Sequence, residues 1–174
     1  MKRISTIILF ASVLSAALPI PDQINADFSQ TVVNLENNQT LKYSGSVYTK
    51  LPNEAKWIYK QPIKKIICLM QNRAWIIEPE LEQATLFQLD KAVPLLKILK
   101  KAEQVSPNRY KAFYEGIEYT IITDNKEQIK QIEYLDDLDN RVILAFENVK
   151  TKPFDQSLLK CTIPKDYDII DGRY

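Results

Sequence analysis

Histidine is absent from all 174 residues, which removes the Cys–His nucleophile pair and the usual general base. Glycine is almost as scarce. Only Gly45, Gly116 and Gly172 occur, so neither common Gly-rich phosphate loop can be built. No charge of one sign dominates. The formal net charge is +1, with acids and bases interspersed, and nothing resembles a nucleic-acid footprint. No apolar run is long enough to cross a bilayer, no repeat or low-complexity tract divides the chain, and the length suits one domain.

What is present is apolar strand. The run Lys56 to Pro79 holds both tryptophans, a tyrosine, a cysteine and many isoleucines, broken by Gln61-Pro62 and ended by Glu78-Pro79. Similar segments recur along the chain: 24–36, 40–50, 55–60, 64–70, 73–78, 82–89, 108–114, 117–123, 128–135, 141–149 and 158–163. Ile66 to Leu69 is apolar on both faces, which marks a strand covered on both sides. One stretch, 91–102, changes period. Val93, Leu95, Leu96 and Leu99 recur at helical spacing, Asp90 can cap, Pro94 fits the first turn, and Lys97, Lys100 and Lys101 suit the C-terminal end. The fold class expected is mainly β: a curved antiparallel half-barrel of about eleven strands, covered by one or more short helices.

The first residues read as an export leader. Lys2 and Arg3 precede the mostly apolar Ile4 to Leu14, and Ser15-Ala16-Ala17 supplies the small residues a signal peptidase reads. Residues 1–17 are expected to be removed, leaving 18–174 as a single domain. An N-terminal anchor is the alternative, but the run is short and Pro19 and Pro21 follow. Losing Lys2 and Arg3 takes the 23 basic residues below the 22 acidic ones, so the mature surface stays near neutral. Leu18 stands where an acylated lipoprotein would carry cysteine, so the mature protein is expected to be unanchored. Cys68 and Cys161 are either a disulfide or two buried thiols.

Candidate chemistry is thin. The Asp136–Asp139 cluster lacks the glycine and the bidentate glutamate of a calcium loop and reads as a hairpin turn. Glu78, Glu80 and Glu82 alternate along a segment read as extended; they are either a solvated edge or the carboxylates of a sugar hydrolase. Asn38-Gln39-Thr40 matches a glycosylation acceptor, and the leader does not say which export system reads it. No nucleophile, base and oxyanion site assembles, and neither cofactor nor metal is expected. The apolar strands under one helix either fill a core or enclose a lipid-sized cavity.

The order Gly45…Leu51-Pro52-Asn53…Trp57…Gln61-Pro62…Trp75…Pro79…Glu82-Gln83-Ala84-Thr85 resembles the periplasmic outer-membrane lipoprotein carrier family, LolA. Phe28-Ser29-Gln30 is similar to that family's F-x-Q. Asp136-Asp137…Asn140-Arg141 and Thr162-Ile163-Pro164…Asp168-Ile169-Ile170 fall where the family has an acidic hairpin and a closing segment. The resemblance covers nearly all of the mature chain. It implies a half-barrel whose apolar cavity takes the acyl chains of lipoproteins. The cargo would come from an inner-membrane ABC release complex and pass to an outer-membrane acceptor. The carrier would be a periplasmic monomer with no active site. A carrier of other lipids on the same fold is the nearest alternative.

By that resemblance the lining comprises Phe28, Val47, Trp57, Tyr59, Trp75 and Ile77, with Leu95, Leu96 and Leu99 as the lid. Lys50, Leu51 and Pro52 form the turn associated with hand-off. The chain departs from the family here: Leu51 replaces the arginine that helps hold the lid, which leaves apolar contact to do so. Ala55 stands where an aromatic is usual and widens the cavity nearby. The N-terminal helix is much reduced, with few residues between Ala17 and Phe28.

Overall fold

A computed structural model of the chain describes residues 17–71, 73–88 and 95–172. The leader through residue 16, the proposed cap Asp90, Val93 and Pro94 lie outside the described residues.

Alternating apolar strands joined by tight turns give one open curved sheet of twelve strands. They are β1 (Gln23–Asn34), β2 (Thr40–Lys50), β3 (Glu54–Gln61), β4 (Lys65–Met70), β5 (Arg73–Glu78), β6 (Gln83–Gln88), β7 (Glu103–Ser106), β8 (Arg109–Tyr114), β9 (Ile117–Thr123), β10 (Ile129–Leu135), β11 (Asn140–Lys150) and β12 (Asp168–Asp171). The spatial order is β12-β6-β5-β4-β3-β2-β1-β11-β10-β9-β8-β7. Sequential hairpins build two runs, and the pairing of β1 with β11 joins them into one sheet.

That order dictates the rest. β6 lies near one edge and β7 forms the other, so the chain between them must cross the whole sheet. Its described part is the helix α1 (Leu95–Lys100). Leu95, Leu96, Ile98 and Leu99 are all buried, and α1 contacts β8 and β2 across the concave face. The largest core cluster lies here, with Phe28, Val47, Tyr110, Tyr119, Ile121, Ile132 and Phe146 under the helix.

The convex face is crossed by the C-terminal segment. Leaving β11, Phe154 packs edge-on against Tyr48 of β2, with ring centroids 5.6 Å apart. Lys56 of β3 donates its Nζ to the carbonyl of Lys160 at 2.6 Å. Cys161 is bonded to Cys68 of β4, with the two Cα atoms 6.3 Å apart. Ile163 and Tyr167 then pack with Trp75 and Ile77 of β5 before the chain joins the edge as β12. The two cysteines are therefore a disulfide, and Ile66 to Leu69 is a strand covered on both sides.

Four expectations are corrected. Residues 158–163 form no strand: Gln156–Leu159 is a 3-10 turn whose Asp155 side chain accepts from the Ser157 N–H, and the disulfide segment follows. β7 and β12 were not foreseen, which makes twelve strands. β12 pairs with β6 in parallel, so the sheet is not wholly antiparallel. Pro79–Leu81 is a 3-10 turn and Glu82 is left-handed, so Glu78, Glu80 and Glu82 do not lie along one extended edge.

Candidate functional site

Strand pairing fixes which side chains share the concave face. Val47 of β2 lies opposite Trp57 of β3, and Trp57 lies opposite Ile67 of β4. Phe28 of β1 lies opposite Phe146 of β11, and Ile132 of β10 opposite both Leu144 and Ile121. With a period of two, these positions all face α1. Between them and the helix is a cavity of about 290 Å³. Its walls are Trp57, Tyr59, Ile67 and Leu69 on one side and Ile117, Tyr119, Ile132, Tyr134 and Leu144 on the other; Leu95 and Ile98 roof it.

Aromatic rings shape the wall. The Phe28 ring meets those of Trp57 and Tyr59 edge-on, each with centroids 5.0 Å apart. These contacts hold Trp57 and Tyr59 against the floor. The polar atoms are few. The Tyr59 hydroxyl donates to Oε1 of Gln30 at 2.9 Å. Lys65 places its Nζ 4.8 Å from the Tyr59 ring centroid. Burial holds the phenols neutral: Tyr59 is pushed up to about 12, helped by nearby Tyr43, and Tyr119 and Tyr134 likewise to about 12. Among the described residues no charged side chain lines this cavity. Among the described residues no group of three or more His, Cys, Asp or Glu could hold a metal ion.

The expected residues fall into three sets. Trp57, Tyr59 and Leu95 line the cavity directly. Phe28, Val47 and Leu96 belong to the buried cluster that supports it. Leu99 is in that cluster and also edges a second cavity of about 360 Å³, formed with Leu18 to Pro21, Ile24 and Ile129.

Trp75 and Ile77 are the correction. In register Trp75 pairs with Cys68 and Ile77 with Ile66, both convex-face positions, and they pack beneath the C-terminal segment. Their neighbour Ile76 pairs with Ile67 and shares the concave side instead. Periodicity leaves the facing of a doubly covered strand open, so a shift of one residue reverses it.

The expected hand-off turn divides as well. Lys50 donates its Nζ to Gln156 Oε1 at 2.7 Å, so it holds the C-terminal segment. Leu51 packs against the core cluster that contains α1, and its N–H donates to the Asp22 carbonyl at 2.9 Å. Pro52 is exposed and follows a cis peptide bond.

Sequence reasoning missed Ile67, Leu69, Ile98, Ile117, Tyr119, Ile132, Tyr134 and Leu144. Alternation within β9 and β10 marks Ile117, Tyr119, Ile132 and Tyr134 as one-face sets. Only the joining of β1 to β11 brings them opposite Trp57.

The family model described as "Outer membrane lipoprotein carrier protein LolA" matches residues 22–106. An outer-membrane lipoprotein carrier protein of Campylobacter jejuni is 36% identical over 147 residues, covering 84% of this chain and 85% of that protein. The chain belongs to the LolA family. A second outer-membrane lipoprotein carrier protein, from Helicobacter hepaticus, is 35% identical over 127 residues, covering 73% of this chain and 70% of that one. The fold is also that of a LolA superfamily protein from Nitrosomonas europaea, with TM-score 0.53 at 8% identity over 83% of this chain and 93% of the other. An uncharacterised protein from Thermus thermophilus has TM-score 0.54 at 12% identity, covering 87% and 91%. The family model and the Campylobacter jejuni and Helicobacter hepaticus relatives are described as lipoprotein carriers.

Proposed function

We propose that this LolA-family protein takes the acyl chains of lipoproteins into the cavity between α1 and the concave face and carries them across the periplasm. Residues 1–17 direct export and are removed. Cargo comes from an inner-membrane ABC release complex and leaves to an outer-membrane acceptor, with the carrier acting as a monomer. The observation that carries this reading is an aromatic-walled cavity, lined by no charged side chain among the described residues and roofed by the helix α1, in a chain of this family.

The energetics fit. Each buried methylene contributes about 0.8 kcal/mol, so ten of them contribute about 8 kcal/mol, and acyl chains do not cross water uncovered. At about 290 Å³ the cavity is at the small end of ligand sites. Several acyl chains need more room, so loading requires α1 to move off Trp57, Ile67 and Leu144. Cargo that binds only the opened form shifts the population toward it. Closure against Leu51 and the core cluster favours release, because the roof leucines regain each other's contact when the chains leave.

The two tryptophans supply the test. Trp57 lines the cavity and Trp75 lies on the opposite face. A triacylated lipopeptide with brominated chains should quench the fluorescence of Trp75→Phe, in which only Trp57 reports, and leave that of Trp57→Phe unchanged. Quenching of Trp75 alone, or of neither, overturns the reading. Equal quenching by brominated free fatty acid, with no preference for the lipopeptide, transfers the site to other lipids.

A further inference from the structure

We propose that Asn38 is an attachment site for an N-linked glycan. Asn38-Gln39-Thr40 has the amide, the non-proline spacer and the hydroxyl two residues on that such transfer requires. No other asparagine in the chain has Ser or Thr at that spacing.

The structure places this one where a transferase can reach it. Residues 35–40 form the tip of the β1–β2 hairpin and all are exposed. The turn is held without the Asn38 side chain. Asn34 Oδ1 accepts from the N–H groups of Glu36 and Asn37, each at 3.1 Å, and Asn37 Oδ1 accepts from the Gln39 N–H at 2.9 Å. Backbone bonds from Asn38 N to the Asn34 carbonyl and from Asn34 N to the Gln39 carbonyl, both 2.9 Å, close it. Asn38 itself is left-handed, with φ 58°, a conformation asparagine tolerates. Other asparagine amides are engaged: Asn148 on Asp27, Asn140 on Asp136, Asn108 on Asn125. The Asn38 amide has no such partner among the described residues. Glu36 on the same turn adds a carboxylate for a cationic surface to grip.

The step balances without oxidant or reductant. The co-reactant is a lipid-linked glycosyl pyrophosphate. Nδ2 of Asn38 forms a bond to the anomeric carbon as the bond from that carbon to the pyrophosphate oxygen breaks. The pyrophosphate leaves with the bonding electrons, and Nδ2 gives up one proton to the transferase.

The position is compatible with the proposed carrier role. Gln30 is the part of β1 that touches the cavity, and the strand ends four residues later, roughly 13 Å beyond at about 3.3 Å per residue. A glycan there stands clear of the cavity. It would cover Leu35 and Leu41, which flank the turn at 43% and 57% exposure.

This inference rests on export of the chain. The experiment is mass spectrometry of the full protein isolated from its own cells, reading the tryptic peptide that ends at Lys42. We expect that peptide to begin at Leu18 and to carry sugar residues on Asn38. Thr40→Ala should lose them and Thr40→Ser should keep them, with the cavity-side fluorescence of Trp57 unchanged in both. A peptide that begins at Leu18 with bare Asn38 overturns the glycan alone. A chain that retains its leader and has bare Asn38 overturns leader removal and the glycan together.

Discussion

Gly45 offers the sharpest test of how the cavity floor is built. It sits in β2 opposite Phe28 of β1 and Tyr59 of β3, at a register shift between β2 and β3. Its role is space. A Cβ placed there would lie 1.9 Å from the Ile58 carbonyl oxygen and 2.9 Å from Cε1 of Phe28. The first neighbour is backbone and can yield only if β3 moves. The second is the ring that holds Trp57 and Tyr59 in place. Overpacking a core usually costs about 1–3 kcal/mol, and a clash with backbone puts Gly45→Ala near the top of that range, about 3 kcal/mol. For a domain of this size each kcal/mol moves Tm by roughly 2–4 °C, so thermal unfolding should fall by about 9 °C. Trp57 emission should change with it, because Phe28 is pushed into the ring cluster, while Trp75 on the far face should report little. A Tm within about 2 °C of the parent, with unaltered Trp57 emission, would refute the account of the floor.

Two further perturbations probe the C-terminal tether and the buried phenols. The Cys68–Cys161 bond closes a loop of 93 residues, for which chain entropy alone gives about 4.7 kcal/mol and about 2–4 kcal/mol is usual. In Cys68→Ala/Cys161→Ala the C-terminal segment keeps few anchors, among them Asp168 N to the Glu82 carbonyl and Gly172 N to the Leu86 carbonyl. Amide exchange in β12 should therefore speed up before the rest of the sheet opens; unchanged protection there would count against the tether. The pH dependence runs the other way from acid unfolding. Tyr59, Tyr119 and Tyr134 are raised to about 12, above the ordinary value of 10.0, so the folded state holds its phenolic protons longer than the unfolded chain. Their contribution is intact below pH 10 and is lost as pH rises toward 12. Spectroscopic titration should find these three tyrosines ionising late among the nine, and simultaneous ionisation of all nine would contradict their burial.

Much of the fold was legible because its local signals agree. Pro62, Pro79 and Gly116 end segments that alternate cleanly, so ten of the expected strands appear with bounds shifted by two residues or fewer. β7 and β12 escaped because Glu103–Ser106 and Asp168–Asp171 are four-residue edge strands with little alternation, held by pairing with β8 and β6. Residues 158–163 alternate like a strand, yet the disulfide draws them over the convex face, where the sheet has no edge to offer them.

The chain read alone was enough for the mainly β class, the buried face of α1 and the resemblance to a carrier family. These depend on residue type and spacing along one segment, which periodicity and turn chemistry report directly. Tertiary structure alone decided that Trp57 lines the cavity while Trp75 lies beneath the C-terminal segment. The two residues occupy equally apolar, two-sided strands, and only the pairing of Trp57 with Ile67 and of Trp75 with Cys68 orients them. It also decided that Ile117, Tyr119, Ile132 and Tyr134 complete the wall. They reach it through β1 and β11, segments more than a hundred residues apart that the chain itself gives no local reason to join.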